Sequence, residues 1–200
     1  MTYDEFRKCS RFGKKELIAF AHGALVDTPP EGFTARLPAP PLLMTDRILE
    51  ISADGHHGKI VAEQDIHFDA WYFQCHMRGD PVQPGCLCVD AIWQILGFYC
   101  VWRGAIGSGR ALGCDEVAFS GQIRPFNRIV RYEVNVRRFT QLKESGTSIG
   151  IGEGRIFADG EEIAEVHGAR TGIFQGIAYP DYPRRSANSI GGRLSARGRQ

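Results

Sequence analysis

The stretch from Cys86 to Trp102, CLCVDAIWQILGFYCVW, is the longest apolar run in the 200-residue chain. It is interrupted by Asp90 and Gln94, so it is too short and too polar to be predicted as a membrane span. We predict instead a helix from Cys86 to about Arg103 that lies in the protein core. Because the run is apolar on nearly all sides, we expect this helix to be buried all round.

The segments after this helix carry strand patterns. Residues 129–136 alternate between apolar and polar side chains, with Val130, Tyr132, Val134 and Val136 on one face. Short glycine-containing turns predict hairpins within residues 47–66 and 148–174. An antiparallel sheet can cover one long helix on most sides, so this order of elements predicts an α+β fold in which the sheet wraps around the helix.

Other segments connect these elements. Residues 3–24 predict a helix that is broken near Phe12-Gly13, and the five prolines between residues 27 and 42 predict a surface loop. Residues 68–73 predict a short aromatic turn. Residues 74–85 contain two prolines and two glycines, which predicts a loop directly before the long helix.

The composition excludes several classes of protein. Hydrophobic residues make up 43% of the chain and charged residues 24%, which is typical of a globular protein. A net charge of +1 gives no whole-chain argument for binding nucleic acid or an acidic membrane. The first twenty residues carry charges throughout and the six cysteines form no CxxC pair, so we expect a reduced, cytoplasmic protein.

The charge is distributed unevenly along the chain. Residues 180–200 contain five arginines against Asp181, a net charge of +4, which leaves −3 for the remainder. We therefore predict one domain over residues 1–178 and a basic C-terminal extension over residues 179–200.

A histidine and a carboxylate lie close together in sequence. His76 is in the loop rich in glycine and proline, where an imidazole can serve as a general base near neutral pH. Asp90 is on the otherwise apolar helix, and Gln94 follows one turn later, where it can hydrogen-bond Asp90. We expect desolvation to raise the pKa of Asp90 and make its carboxyl group a proton donor.

The start of the helix completes the set. Pro84-Gly85 opens it, and free backbone amides at a helix N-terminus favour negative charge, so the backbone at Gly85 and at Val82 is predicted to polarise a carbonyl. A base, an acid and an oxyanion donor together suit proton removal α to a thioester carbonyl with loss of a β-hydroxyl. No dinucleotide or Walker-type motif is present, which argues against hydride and phosphoryl transfer.

Each of these residues also has a purely structural interpretation. His76 could cap or pack, Asp90 and Gln94 could form a satisfied buried polar pair, and Gly85 could simply begin the helix. The chemical interpretation depends on all of them meeting at one site.

The cysteines near His76 give only weak support for a metal site. Cys86 and Cys88 point to different faces of a helix, and together with Cys75 and His76 they match no zinc spacing. We predict no metal and no cofactor. Cys75, beside the base, is interpreted as a supporting packing residue and not as a nucleophile.

The run CHxxGDPVxPGC…DAxWQ…GFY, continued by GRALG at 109–113 and EVAFSGQI at 116–123, resembles the β-hydroxydecanoyl-acyl-carrier-protein dehydratase/isomerase family of bacterial type II fatty-acid synthesis. The resemblance extends over roughly residues 14–175. It implies the hot-dog fold, in which a central helix is wrapped by an antiparallel sheet. It also implies a homodimer with two active sites at the subunit interface and no cofactor.

The resemblance also implies the roles of the two candidate catalytic residues. His76 of one subunit would face Asp90 of the other, remove the α-proton of a (3R)-3-hydroxyacyl-acyl-carrier-protein and yield the trans-2-enoyl product as Asp90 assists departure of the hydroxyl. The same pair would shift trans-2-decenoyl to cis-3-decenoyl thioester. Aspartate at position 90 favours this isomerisation, because related dehydratases without it typically have glutamate there.

Two residues depart from the family pattern. Gln83 stands where the family usually has methionine, and Cys88 stands where it usually has glycine. Either change is expected to narrow the chain-length preference or to weaken isomerisation.

The implied partner is an acidic acyl-carrier protein, which needs basic residues near the site. Arg137, Arg138 and Lys143 follow the alternating strand and are predicted to dock it. A solvated strand end is the alternative interpretation of these three residues. Two other functions stay open: a hot-dog thioesterase, or a protein that binds acyl thioesters without dehydrating them.

Overall fold

Seven strands and four helices build the part of the chain that the computed structural model describes, residues 1–142 and 145–175. In chain order the elements are α1 (Tyr3–Lys8), α2 (Lys14–His22), β1 (Arg47–Asp54), β2 (His57–Asp65), α3 (Trp71–Cys75), α4 (Gly85–Trp102), β3 (Ser108–Gly113), β4 (Glu116–Phe119), β5 (Ile129–Gln141), β6 (Ser148–Ala158) and β7 (Glu161–Phe174).

The strands form one antiparallel sheet in the order β1-β2-β5-β6-β7-β3, and β4 pairs with β7 beside β3. The predicted hairpins are confirmed as β1–β2 and β6–β7. The alternation in β5 is confirmed as well, because Val130, Tyr132, Val134 and Val136 are all buried. The strand itself continues past the predicted end to Gln141.

Helix α4 lies against the concave face of the sheet, as the sequence predicts. Two glycines of β6 allow the helix to approach closely. A Cβ atom at Gly150 would lie 2.6 Å from the Sγ atom of Cys100, and one at Gly154 would lie 2.9 Å from Cγ2 of Ile92. The backbone of β6 therefore packs directly against α4, which is possible only without side chains at these positions.

One side of α4 is left uncovered, so the expectation that it is buried all round is wrong. Cys86 is exposed, and Asp90, Trp93 and Gly97 are half-exposed. These residues are spaced four, three and four apart, which places them on one face of the helix. We call this face the open stripe of α4. The helix is long and apolar enough to span a membrane, but 67% of it is buried in the protein, as expected of a core helix.

The N-terminal residues pack against the central helix α4. The predicted helical region is confirmed with its break, as α1 and α2. Phe6, Phe12 and Phe20 surround Phe98 of α4 with ring centroids 5.6, 5.0 and 5.0 Å away. Such aromatic contacts fix the position of α4 along the sheet.

One local prediction differs from the structure. The aromatic segment predicted as a turn contains the short helix α3 from Trp71 to Cys75, in which Tyr72 and Phe73 are buried. This helix ends at Cys75, and His76 follows as its C-cap residue, so the position of α3 determines where the histidine loop begins. The predicted basic extension, residues 179–200, lies outside the described residues.

Candidate active site

His76 follows directly after α3 and is held by its own loop. Its backbone N–H donates to the carbonyl of Tyr72 at 2.8 Å, and its Nδ1 atom lies 2.9 Å from the carbonyl oxygen of Val82. Because a carbonyl only accepts, Nδ1 carries the proton in this hydrogen bond, which leaves Nε2 as the basic nitrogen of the neutral ring. The peptide bond from His76 to Met77 is cis.

Val82 has a different role from the one predicted for its backbone. Its N–H donates to the carbonyl of His76 at 2.8 Å, and its own carbonyl accepts from the imidazole. The N–H of Val82 is therefore already used and does not serve as an oxyanion donor. Val82 instead orients the imidazole of His76.

His76 lines a cavity of about 290 Å³ at the N-terminus of α4. The walls are largely apolar and come from α4, from the segment after β4 and from the start of β7; they include Phe119, Ile123 and Ile163. Such a cavity suits an acyl chain next to the imidazole.

Gly85 lines the same cavity as the first residue of α4. Its N–H has no partner within the helix, because the first amides of a helix are free. Pro84 is the N-cap residue with a non-helical ψ of 129°, so it precedes the first helical turn instead of lying within it. A Cβ atom at Gly85 would lie 2.8 Å from the ring of Phe119, so glycine permits this wall to close over the helix start.

Asp90 and Gln94 form the predicted hydrogen bond. The Nε2 atom of Gln94 donates to Oδ2 of Asp90 at 2.6 Å and to the carbonyl of Leu42 at 2.8 Å, and its Oε1 atom accepts from the N–H of Met44 at 3.0 Å. Gln94 is buried, whereas Asp90 is half-exposed on the open stripe. Within one protomer, the expected desolvation of Asp90 is therefore only partial.

Asp90 lines a second cavity, of about 140 Å³. Its other walls come from α4, β3, β7 and the proline-rich segment, and they include Trp93, Gly97, Arg110 and Thr171. None of the residues that line this cavity also lines the cavity of His76. Within one protomer, the structure does not bring the predicted acid and base together.

The two residues that depart from the family pattern lie beside His76. Gln83 and Cys88 are both buried and line its cavity, and Nε2 of Gln83 lies 3.6 Å from Sγ of Cys88. Burial raises the pKa of Cys88 to about 12, so the thiol is neutral at physiological pH. Within the described chain, Oε1 of Gln83 has no hydrogen-bond partner.

Cys75 does not pack in the protomer core as expected. It is exposed, and its thiol donates back into α3, to the carbonyls of Trp71 and Tyr72 at 3.5 and 3.6 Å. Cys75 lines neither of the two cavities. Over residues 1–142 and 145–175, no group of three or more histidine, cysteine, aspartate or glutamate side chains is placed to hold a metal ion.

Neither Arg137 nor Arg138 lines either of the two cavities. Arg137 is exposed and forms an ion pair of 2.8 Å with Glu153, and Arg138 donates to Thr140 at 3.1 Å. In the sheet, Arg138 is level with Ile151 and so with Arg170, next to the wall of the Asp90 cavity. Lys143 lies outside the described residues.

Several cavity residues were not among the sequence predictions. Phe119 ends β4 and Ile123 follows it, whereas Ile163 belongs to β7, and the pairing of β4 with β7 brings the two segments together beside the helix start. The segment at 116–123 was part of the matching motif, which is the one signal that pointed to them. The motif did not indicate which of its side chains face the cavity.

A central helix wrapped by an antiparallel sheet, with a histidine loop at the start of the helix, defines this chain as an α+β protein of the hot-dog fold. Residues 37–167, more than half of the chain, match the model of the FabA-like domain family. The chain therefore belongs to the FabA-like domain family.

Solved structures resemble the chain weakly. AziG from S. sahachiroi has a TM-score of 0.44 and 12% identity, covering 64% of this chain and 90% of its own. The dehydratase heterocomplex ApeI:P from Xenorhabdus doucetiae has a TM-score of 0.40 and 13% identity, and the match covers 62% of this chain and 95% of that one. A hypothetical thioesterase from Streptococcus pneumoniae TIGR4, solved with coenzyme A, has a TM-score of 0.44 and 12% identity, and the match covers 63% of this chain and 86% of that one. Likeness at this level gives no information on activity.

Proposed function

We propose that this protein dehydrates (3R)-3-hydroxyacyl-acyl-carrier-protein to trans-2-enoyl-acyl-carrier-protein, and that it isomerises trans-2-decenoyl to cis-3-decenoyl thioester. One observation carries the proposal. His76 lines a largely apolar cavity with its Nδ1 atom bound to a carbonyl, at the free N-terminus of α4, in a chain of the FabA-like domain family. A thioester bound there meets a base and an oxyanion donor together.

The first chemical step is proton removal. The Nε2 atom of His76 takes the proton from Cα of the acyl group, and the N–H of Gly85 donates to the thioester oxygen as it gains negative charge. The dipole of α4 adds to this stabilisation, because the N-terminus of a helix attracts negative charge.

The second step is loss of the hydroxyl group. As the electron pair of the broken Cα–H bond forms the double bond, the Cβ–O bond breaks and the carboxyl group of Asp90 gives its proton to the departing oxygen, which leaves as water. Gln94 holds this carboxyl group in place through its fixed amide. Isomerisation uses the same groups, with removal of a proton from C4 and return of a proton to C2.

We propose that each site combines two subunits of a homodimer, with His76 from one and Asp90 from the other. Three observations support this arrangement. His76 and Asp90 line different cavities of a protomer. The open stripe of α4, which carries Asp90, is only partly covered by the sheet. Among the described strands, β3 pairs only with β7, so it leaves an edge available to a second chain.

The proposed partner is an acidic acyl-carrier protein in the cytoplasm. Arg137 and Arg138 are exposed on β5, and Arg138 is level with Arg170 of β7, the residue before Thr171 in the wall of the Asp90 cavity. Because Arg137 is paired with Glu153 at 2.8 Å, docking would have to compete with this ion pair.

Product analysis tests the proposed function. The protein is incubated with 3-hydroxydecanoyl thioester, and the products are separated by gas chromatography and mass spectrometry. We expect trans-2-decenoyl and cis-3-decenoyl thioesters. A trans-2 product alone removes the isomerase activity, and free acid identifies a thioesterase. Binding without turnover identifies an acyl-thioester-binding protein. His76→Ala is expected to abolish turnover, and His22→Ala, at an exposed histidine of α2, is the matched control.

A further inference from the structure

The loop that carries His76 is attached to the segment after β4 at two places. The backbone N–H of Gln83 donates to the carbonyl of Ile123 at 3.0 Å. The guanidinium of Arg124 donates to the carboxylate of Asp80 and, at 3.0 Å, to the carbonyl of Pro81. The two neighbours of Val82 in the chain, residues 81 and 83, are therefore both fixed from outside the loop.

Val82 is the residue that orients the imidazole. It exchanges two hydrogen bonds with His76, of 2.9 Å at the side chain and 2.8 Å at the backbone. Any shift of the backbone at residues 81–83 moves the carbonyl of Val82, which accepts from Nδ1–H of His76. The imidazole ring then rotates, and its Nε2 atom changes position relative to the cavity. Small displacements of a reacting group have large effects on rate.

Arg124 is itself anchored to the sheet. Its N–H donates to Oδ1 of Asn127 at 2.7 Å, and Nδ2 of Asn127 donates to Asp159 at 2.9 Å. Asp159 lies in the turn between β6 and β7 and also accepts from the N–H of Ile129 at 3.0 Å. The loop of His76 is thus connected to the sheet through Arg124 and a tight turn.

The Arg124–Asp80 pair has little value for stability alone. The two side chains are 29% and 59% exposed, and ion pairs with this much solvent contribute little to the free energy of folding. Both hydrogen bonds come from one nitrogen, Nη1, whose two N–H groups lie in the guanidinium plane, so the carboxylate of Asp80 and the carbonyl of Pro81 are held in directions that this plane sets.

We infer that Arg124 is a positioning residue for the base: it holds the 80–82 backbone so that the carbonyl of Val82 keeps the proton on Nδ1 of His76 and Nε2 directed to the cavity. Arg124 itself does not line the cavity of His76. The inference rests on the proposed function for the role of His76 as a base, whereas the claim about its tautomer and orientation stands apart from activity.

Kinetics and nitrogen NMR together test this inference. In Arg124→Ala we expect kcat to fall about 10- to 100-fold with KM within about twofold, because a misplaced base slows chemistry more than binding. In protein labelled with 15N-histidine, the His76 signals should lose the Nδ1–H tautomer pattern, and the pH profile of kcat/KM should shift. Arg124→Lys should recover part of kcat. Arg128→Ala, at an exposed arginine four residues later, should match the wild type.

Two results overturn the inference: wild-type kcat in Arg124→Ala, or a loss of kcat without a change in the His76 nitrogen signals. If Arg124→Ala does not fold, Asp80→Ala removes the acceptor that Arg124 contacts, at an exposed position, and should reproduce the tautomer change. If the wild-type protein does not dehydrate the substrate, the proposed function fails, and the nitrogen signals still decide whether Arg124 controls the imidazole.

Discussion

Gln94 donates a hydrogen bond of 2.6 Å to Asp90, and the orientation of its amide is fixed by a second pair of partners, the carbonyl of Leu42 and the N–H of Met44. Since Met44 N–H can only donate, the oxygen of the amide must face it and the nitrogen must face Asp90. The half-exposed carboxylate of Asp90 is therefore held by the amide of a buried residue.

Replacing this amide tests the relationship. We expect Gln94→Leu to lower the free energy of unfolding by about 1–3 kcal/mol, because the buried N–H of Met44 loses its hydrogen-bond partner. Dehydration should also fall, since Asp90 is no longer held. Urea denaturation and initial rates measure the two effects. Gln141→Leu, at an exposed glutamine, is the control, and equal stability of the two variants would contradict the prediction.

Close packing of α4 on β6 leads to a second prediction. Gly150→Ala places a Cβ atom 2.6 Å from Sγ of Cys100, so we expect a loss of about 1–3 kcal/mol in the free energy of unfolding. Cys100→Ala in the same chain removes the obstructing sulfur and should restore part of that loss. A double-mutant cycle by urea denaturation measures the coupling. Strictly additive effects would show that the helix does not lie this close to the strand.

The Arg47–Asp65 pair predicts a pH dependence of stability. Hydrogen bonds of 2.9 and 2.6 Å from Arg47 lower the pKa of Asp65 in the folded state. The ionised carboxylate therefore stabilises the fold above the unfolded-state pKa of about 3.9, and this contribution is lost as pH falls through the lower folded-state value.

The measurement compares the wild type with Asp65→Asn from neutral pH down to about pH 2.5. The difference in the free energy of unfolding should be largest above about pH 5 and should shrink at lower pH. A difference that is constant with pH would mean that the carboxylate is not coupled to Arg47. Asp69→Asn, at an exposed aspartate, controls for the general effect of removing a negative charge.

Gln83 and Cys88 lead to a prediction about products. They lie together at the wall of the His76 cavity, where the family usually has methionine and glycine. We expect the double variant Gln83→Met/Cys88→Gly to keep dehydration and to raise the share of cis-3-decenoyl product, because an apolar, wider wall lets the chain shift between the two proton-transfer positions. An unchanged product ratio would show that this pair does not limit isomerisation.

Patterns within single segments of the sequence were sufficient to predict several strands and the central helix. The alternation around Val130 and Tyr132 and the glycine turns predicted the strands, and the apolar run predicted α4. Helix α3 was not predicted, because Trp71, Tyr72 and Phe73 are residue types that favour strands over helices. In the folded protein two of these rings are buried against the core, and this packing outweighs the intrinsic preference. The open stripe was missed because composition does not tell which side of a helix the sheet leaves bare.

The candidate site was predictable in part for the same reason. His76, Gly85 and the Asp90–Gln94 bond follow from one continuous motif. The role of Arg124 could not be predicted from the sequence, because its contacts with Asp80 and Pro81 span more than forty positions in the chain. They depend on the path of the segment after β4 in the folded protein. Separation of His76 and Asp90 into two cavities is likewise a property of the folded protomer.

The most direct test of the shared site is subunit complementation. His76→Ala and Asp90→Asn are purified separately, each with negligible dehydratase activity, then mixed under conditions of subunit exchange and assayed with 3-hydroxydecanoyl thioester. In a symmetric dimer with shared sites, the mixed dimer contains one intact site, so random exchange of equal amounts should restore about a quarter of wild-type activity. A mixture that stays inactive although mixed dimers have formed would contradict a site built from His76 of one subunit and Asp90 of the other.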